Sequence, residues 1–128
     1  MTLPSDVRRV LEQPVIAALA TVMPDGAPHS VPLWVGLEGE YLAFLTAPGS
    51  QKAVNIAAEP RVAISATDPR DAATMVMVRG TVVERVDGAA GWAVIDRIAQ
   101  KYLGGPYPLR TDRVAFLVRP DRAMRASY

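Results

Sequence analysis

The chain has 128 residues, a formal net charge of +1 and no cysteine. That length suits one domain over residues 1–128 with a core of its own, and 50% hydrophobic against 21% charged residues describes a globular chain. Scattered basic residues give no footprint for nucleic acid or an anionic membrane, and the lack of cysteine excludes disulfides, thiolate metal sites and a cysteine nucleophile. The longest uncharged apolar run, Pro14 to Met23, is too short to span a bilayer, and nothing before it reads as a signal peptide. A cytoplasmic protein is the expectation.

Pro4-Ser5-Asp6 opens a short helix, with Ser5 placed to cap it and Val7, Val10 and Leu11 on one face. Gln13-Pro14 stops it. Val15 to Met23 reads as a strand rich in small residues, Pro24-Asp25-Gly26-Ala27 as a hairpin turn, and Ser30 to Leu37 as the return strand. Pro28 and Pro32 cannot donate ladder bonds, so that strand starts at an edge or bulges. Glu38-Gly39-Glu40 turns the chain into an apolar strand, Tyr41 to Thr46, and a helix follows from Lys52 to Ala58, ending near Glu59-Pro60.

Arg61 to Thr67 alternates Val62, Ile64 and Ala66 on one face, the period of a strand. Asp68-Pro69-Arg70-Asp71 reads as a surface loop and Thr74 to Val86 as a long strand. Gly80 interrupts it, which predicts a bulge or the close approach of another group. Ala89 to Leu103 is the strongest helix, with Trp92, Ile95, Ala99 and Tyr102 on one face, ended by Gly104-Gly105-Pro106. Val114 to Val118 is a final strand, broken by Pro120 before Ala123 to Ser127. Six strands in mostly antiparallel order with few helices predict a mainly β chain wound into a small closed or half-closed barrel.

The stretch Thr46 to Asn55, Thr-Ala-Pro-Gly-Ser-Gln-Lys-Ala-Val-Asn, joins a strand end to a helix start. Such a junction gathers unpaired N–H groups and the positive end of a helix dipole, and a phosphate or carboxylate suits it. Ser50 adds a hydroxyl, Lys52 a positive charge and Asn55 an amide one turn into the helix. The plainer alternative is a loop in which Ser50 caps a helix and Lys52 is solvated.

Elsewhere reactive chemistry is sparse. His29 is the only histidine, so no histidine metal cluster can form, and a structural or rim role is its default. There is no Gly-x-Ser-x-Gly elbow, no dinucleotide fingerprint and no Gly-Lys-Ser/Thr phosphate loop. Trp34 is either core packing or a stacking platform, and Arg79 beside Gly80 is either at the rim or paired with an anion. An anion cradle without a reactive side chain is a natural host for a phosphate-bearing cofactor that brings its own chemistry.

Leu19-Ala20-Thr21 with Pro24-Asp25-Gly26-Ala27-Pro28-His29, Pro32-Leu33-Trp34, Gly49-Ser50-Gln51-Lys52 with Asn55, Glu59-Pro60-Arg61-Val62 and Val78-Arg79-Gly80 follow one another in an order that resembles the pyridoxamine-phosphate-oxidase-like split-barrel family. Ile95-Asp96-Arg97-Ile98-Ala99, Lys101-Tyr102-Leu103-Gly104 and Tyr107-Pro108 are similar to its deazaflavin-dependent oxidoreductase branch. The match covers about residues 10 to 122.

The resemblance implies a six-stranded antiparallel split β-barrel that forms a homodimer, with the cofactor in a groove at the interface. It implies that Lys52 and Ser50 contact the cofactor phosphate and that Asn55 supports them. Many relatives carry a second basic residue where this chain has Ser50 or Gln51, which leaves Arg79 and Arg61 as candidates to hold an acidic tail. Thr46 and the strand around Pro32 to Trp34 would flank the ring system, and backbone around Ala63, Ile64 and Ser65 would line it. The implied cofactor is coenzyme F420, a deazaflavin, with FMN in sister branches. The implied activity is hydride transfer to an unsaturated small-molecule acceptor; the alternative is an FMN-binding flavoprotein, either an oxidase or reductase or a carrier or sensor of FMN or haem without catalysis. No catalytic side chain is assigned and no metal is implied.

Overall fold

A computed structural model describes all of residues 1–128. In chain order the elements are α1 (Ser5–Leu11), β1 (Ala17–Val22), β2 (Pro28–Leu33), β3 (Gly36–Glu38), β4 (Tyr41–Thr46), α2 (Gln51–Ala58), β5 (Arg61–Asp68), β6 (Asp71–Val86), α3 (Gly88–Leu103) and β7 (Val114–Ser127). The chain is mainly β with three helices. Its seven strands form one antiparallel sheet in the order β2-β1-β5-β6-β7-β4-β3.

β2 and β3 are neighbours in sequence yet occupy opposite edges of that sheet. Only Trp34 and Val35 join them, a reach of ~10 Å at most, so the sheet must curl until its edges meet. The hydrogen-bond ladder stays open there, and the barrel is not closed.

The expected count of six strands is corrected to seven, because the return strand expected over Ser30 to Leu37 is two strands. Helix α3 causes the break by taking the backbone groups that would have continued the ladder. The Val35 N–H donates to the Tyr102 hydroxyl at 3.0 Å, and the Val35 carbonyl accepts from Lys101 Nζ at 2.5 Å. Tyr102 in turn donates to the Val15 carbonyl at 2.5 Å, tying the corner to the start of β1. Gly36 completes the fit: a Cβ there would stand 2.7 Å from Ile98 Cγ1.

Pro120 does not break the last strand, which runs from Val114 to Ser127. Gly80 pairs with Pro120 and Arg79 with Arg122, so Asp121 is an extra, bulged residue, and the missing N–H of Pro120 falls where the ladder is already irregular. The bulge depends on Gly80, since a Cβ there would meet Val118 Cγ1 at 2.6 Å and the Arg119 carbonyl at 2.7 Å. The loop expected at Asp68 to Asp71 is a tight turn with both aspartates inside strands: the Asp68 carboxylate accepts the Arg70 N–H at 2.9 Å and closes it.

The alternation of the strands sorts the side chains. Leu19, Leu42, Phe44, Val62, Ile64, Val76, Val78, Phe116 and Val118 point into the curl, where Val7, Val10 and Leu11 of α1 join one core cluster. Phe44 and Phe116 stack across β4 and β7 with centroids 5.4 Å apart. Outside, α3 lays Val94, Ile95 and Ile98 on Ala43 and Ala115, and those alanines let the helix approach closely. No helix is long and apolar enough to cross a membrane.

Candidate functional site

Helix α2 is positioned by its first and second turns. The Ser50 side chain caps it, accepting the Ala53 N–H at 3.2 Å, and also accepts the Thr46 hydroxyl proton at 2.9 Å. With both acceptor positions filled, the Ser50 proton is left to donate outward. Asn55 is fully buried. Its Nδ2 donates to Thr21 Oγ1 at 3.0 Å and its Oδ1 accepts from Gln51 Nε2 at 2.8 Å, which pins the helix to β1. Thr46 and Asn55 therefore set the shape of the corner with their side chains bonded inside the chain, while Gln51 is exposed and engages Asn55 only through Nε2.

The amides of Gln51 and Lys52 find no acceptor in the chain, as the first turn of a helix requires. Lys52 is half-buried, makes no ion pair, and has its pKa lowered first by burial and then by Arg113. Arg113 is the residue that sequence reasoning missed. It precedes β7, whose Val114 pairs with Thr46, so the ladder carries it to the mouth of the cradle. Asp112 takes a left-handed conformation, φ 55°, and its carbonyl accepts from the Arg113 guanidinium at 2.7 Å. Two cations thus share one corner with two free amides and one free hydroxyl proton, and no carboxylate pairs with either cation. Sequence spacing held no signal for this, because the partners come from distant segments.

Leu33, Trp34, Leu45 and Tyr107 line an apolar pocket of about 210 Å³ on the outer, α3 side of the sheet. Leu45 directly precedes Thr46, and strand alternation turns its side chain to the outer face beside α3 while Thr46 turns to the corner. Trp34 belongs partly to the packing: it stacks on Tyr102 at 4.8 Å, nearly parallel, and meets Tyr107 edge-on at 6.1 Å. Pro32 is exposed on the opposite side of β2 from Leu33.

The other expected residues lie elsewhere. Ile64 is buried in the core, so only its backbone can face a ligand. Ala63 and Arg79 sit on the outward face of the sheet, with Arg61, around a separate cavity of about 630 Å³. Arg61 is engaged by Glu59, which accepts from its Nε at 3.0 Å. His29 faces inward opposite Thr21, and its Nδ1 is buried without a hydrogen-bond partner. No three His, Asp or Glu side chains cluster as metal ligands would.

A family model described as pyridoxamine 5'-phosphate oxidase matches residues 3–124. Among solved structures, an F420 reductase superposes with a TM-score of 0.83 at 35% identity, over 95% of this chain and 98% of its own. A conserved hypothetical protein from Mycobacterium tuberculosis gives 0.82 at 24%, over 99% and 86%. A heme binding protein from Mycobacterium smegmatis gives 0.71 at 23%, over 99% and 60%; at those identities the last two show the fold alone. No curated protein matches significantly. With the match spanning nearly the whole length, the chain belongs to the pyridoxamine 5'-phosphate oxidase family.

Proposed function

We propose that this protein is an oxidoreductase dependent on coenzyme F420, and that it works as a homodimer whose second copy completes the cofactor groove. The observation that carries the reading is the pair Lys52 and Arg113, two half-buried cations without acidic partners beside the free amides of α2. Such a corner is electrostatically incomplete until an anion occupies it, and a phosphate bonded by Ser50, Lys52 and Arg113 completes it. The likeness to an F420 reductase favours the deazaflavin. FMN is the second reading, because its phosphate suits the same corner.

When bound, the deazaflavin supplies hydride chemistry that no side chain of the chain has. The residues contribute binding and orientation. Lys52 and Arg113 neutralise the phosphate, and the capped Ser50 aims one donor at it. Leu33, Trp34, Leu45 and Tyr107 offer a flat apolar surface from which water is displaced by a ring system. The acceptor is an unsaturated organic molecule presented to that ring. Support for the homodimer comes from the outward face of β5 and β6, where Ala63, Ser65, Met75 and Met77 are left part-exposed with no helix laid over them.

Titration of the purified protein with F420, followed by quenching of cofactor fluorescence, and with FMN in parallel, tests the reading. Saturable F420 binding with weaker FMN binding is expected. Tighter FMN binding would replace the first reading with the second, and binding of neither would overturn both.

A further inference from the structure

Lys101, in the last turn of α3, borders a cavity of about 190 Å³ between the end of α1, strand β3 and α3. Gly36, Leu37 and Ile98 give it apolar walls, and Glu12, Glu38 and Arg97 complete the lining. It shares no residue with the α2 corner. Helix α3 packs on β3, β4 and β7, so the cavity also stands apart from the β5–β6 face assigned to the dimer.

Two backbone acceptors hold the Lys101 amine. Its Nζ donates to the Leu11 carbonyl at 2.7 Å, one of the orphan carbonyls that end α1, and to the Val35 carbonyl at 2.5 Å. A neutral amine has two N–H bonds and one lone pair, so these carbonyls engage both protons and leave the lone pair free for the cavity. The ammonium form would need a third acceptor, and no carboxylate lies within ion-pairing distance of Nζ. The charges around the cavity are engaged with one another: Glu12 pairs with Arg8 at 3.2 Å, and Glu38 accepts from Arg97 Nε at 3.0 Å. Burial lowers the Lys101 pKa from 10.5 to about 8, opposed only by Glu12. A share of the molecules therefore carries the free amine near neutral pH.

The geometry points to a reactive-amine site: Lys101 Nζ takes up small, uncharged aldehydes from this cavity as a reversible imine. The lone pair attacks the carbonyl carbon, the carbonyl π pair moves to oxygen, and one amine proton transfers to that oxygen. The carbinolamine then loses its hydroxyl and the second amine proton as water, and neither an oxidant nor a reductant is consumed. Size and charge follow from the lining. The volume falls below the roughly 300–1,000 Å³ of pockets for drug-sized ligands, and no unpaired cation remains to receive an anionic carbonyl compound. Imine formation removes both protons that cap Leu11 and Val35, so occupancy loosens the corner that separates β2 from β3. None of this depends on which cofactor the cradle takes.

Reductive trapping tests the assignment. The full chain is incubated with acetaldehyde and sodium cyanoborohydride at about pH 8, which converts the imine to a stable secondary amine, and the labelled residues are read by peptide mass mapping. The chain has two lysines, Lys52 and Lys101, so the adducts are told apart directly. Lys101 should label about tenfold or more faster in the folded chain than in the same chain unfolded in guanidinium chloride, whereas burial without a site would slow it. The same folded-to-unfolded ratio should drop for pivaldehyde, which is too bulky for the cavity, and for glyoxylate, which is anionic. Lys101→Arg, which keeps the donors without the nucleophile, should lose the fast-labelling equivalent from the intact mass. A ratio for acetaldehyde at or below one, equal ratios for all three aldehydes, or fast labelling that persists in Lys101→Arg would each overturn the assignment. Failure of F420 and FMN to bind in the separate cofactor titration leaves this result intact.

Discussion

Replacing Lys52 with alanine separates a ligand-binding lysine from a structural one, because the two predict opposite pairs of outcomes. In the free protein the Lys52 ammonium is half-buried, bonded to no carboxylate and repelled by Arg113, and its lowered pKa records both costs. Removing it should leave folding stability unchanged or slightly improved. A bound phosphate reverses its value, since the loss of one charge-assisted hydrogen bond costs about 2 kcal/mol, close to thirtyfold in dissociation constant. Ser50, Arg113 and the two amides remain, so binding weakens without vanishing. Fluorescence titration with F420 at low ionic strength reads the affinity, and urea unfolding of the same samples reads the stability. The pH dependence adds a third check. Lys52 loses its proton at lower pH than an ordinary lysine, so wild-type affinity should decline early on the alkaline side, and the variant should lack that decline. An unchanged affinity, or a stability loss above about 1 kcal/mol, would show the reasoning to be mistaken.

Asn55→Ala should destabilise the fold by about 2–3 kcal/mol, because it strips a fully buried amide from Thr21 and Gln51; a urea midpoint within error of wild type would contradict this. Gly91→Ala drives a methyl into the Val86 carbonyl where α3 leaves the sheet, and a loss of about 1–3 kcal/mol is expected in thermal or urea unfolding. Lys101, lowered from 10.5 to about 8 chiefly by burial, binds fewer protons folded than unfolded between those values, so stability rises with pH there. Tyr102, raised above 10.0 by burial, keeps its proton longer when folded, so stability falls again above about pH 10. Urea midpoints taken across that range should show the rise, and Lys101→Met should reduce it, leaving the smaller share of Lys52; a flat wild-type profile refutes the assignment. Met77→Glu, which puts a charge beside Met124 on the outward face, should dissociate the proposed dimer in sedimentation measurements, and a monomeric wild type would defeat that proposal.

Local chemistry wrote much of the fold into the chain. The alternation of Val62, Ile64 and Ala66, the hairpin at Pro24 to Ala27 and the apolar stripe of α3 need only neighbouring residues to be read, and each appears where its pattern lies. The cap at Ser50 was legible for the same reason. Two extrapolations failed together. Pro120 looked like a strand breaker, yet a bulge opposite Gly80 absorbs its missing donor. Trp34-Val35 looked like strand interior, yet Tyr102 and Lys101 capture the Val35 backbone from a helix far along the chain.

The sequence alone determined a mainly antiparallel chain with a strand-to-helix corner at Thr46 to Asn55, because turn residues, periodicity and capping act over a few positions. Only the tertiary structure decided what that corner contains. It turned Asn55 inward to a structural bond, and through the Thr46–Val114 pairing it supplied Arg113 as the second cation. It also set Arg79 against Arg122 by a one-residue slip in register. Electrostatic neighbourhoods are made by strands that meet across long loops, and no local pattern records which charges that meeting brings together.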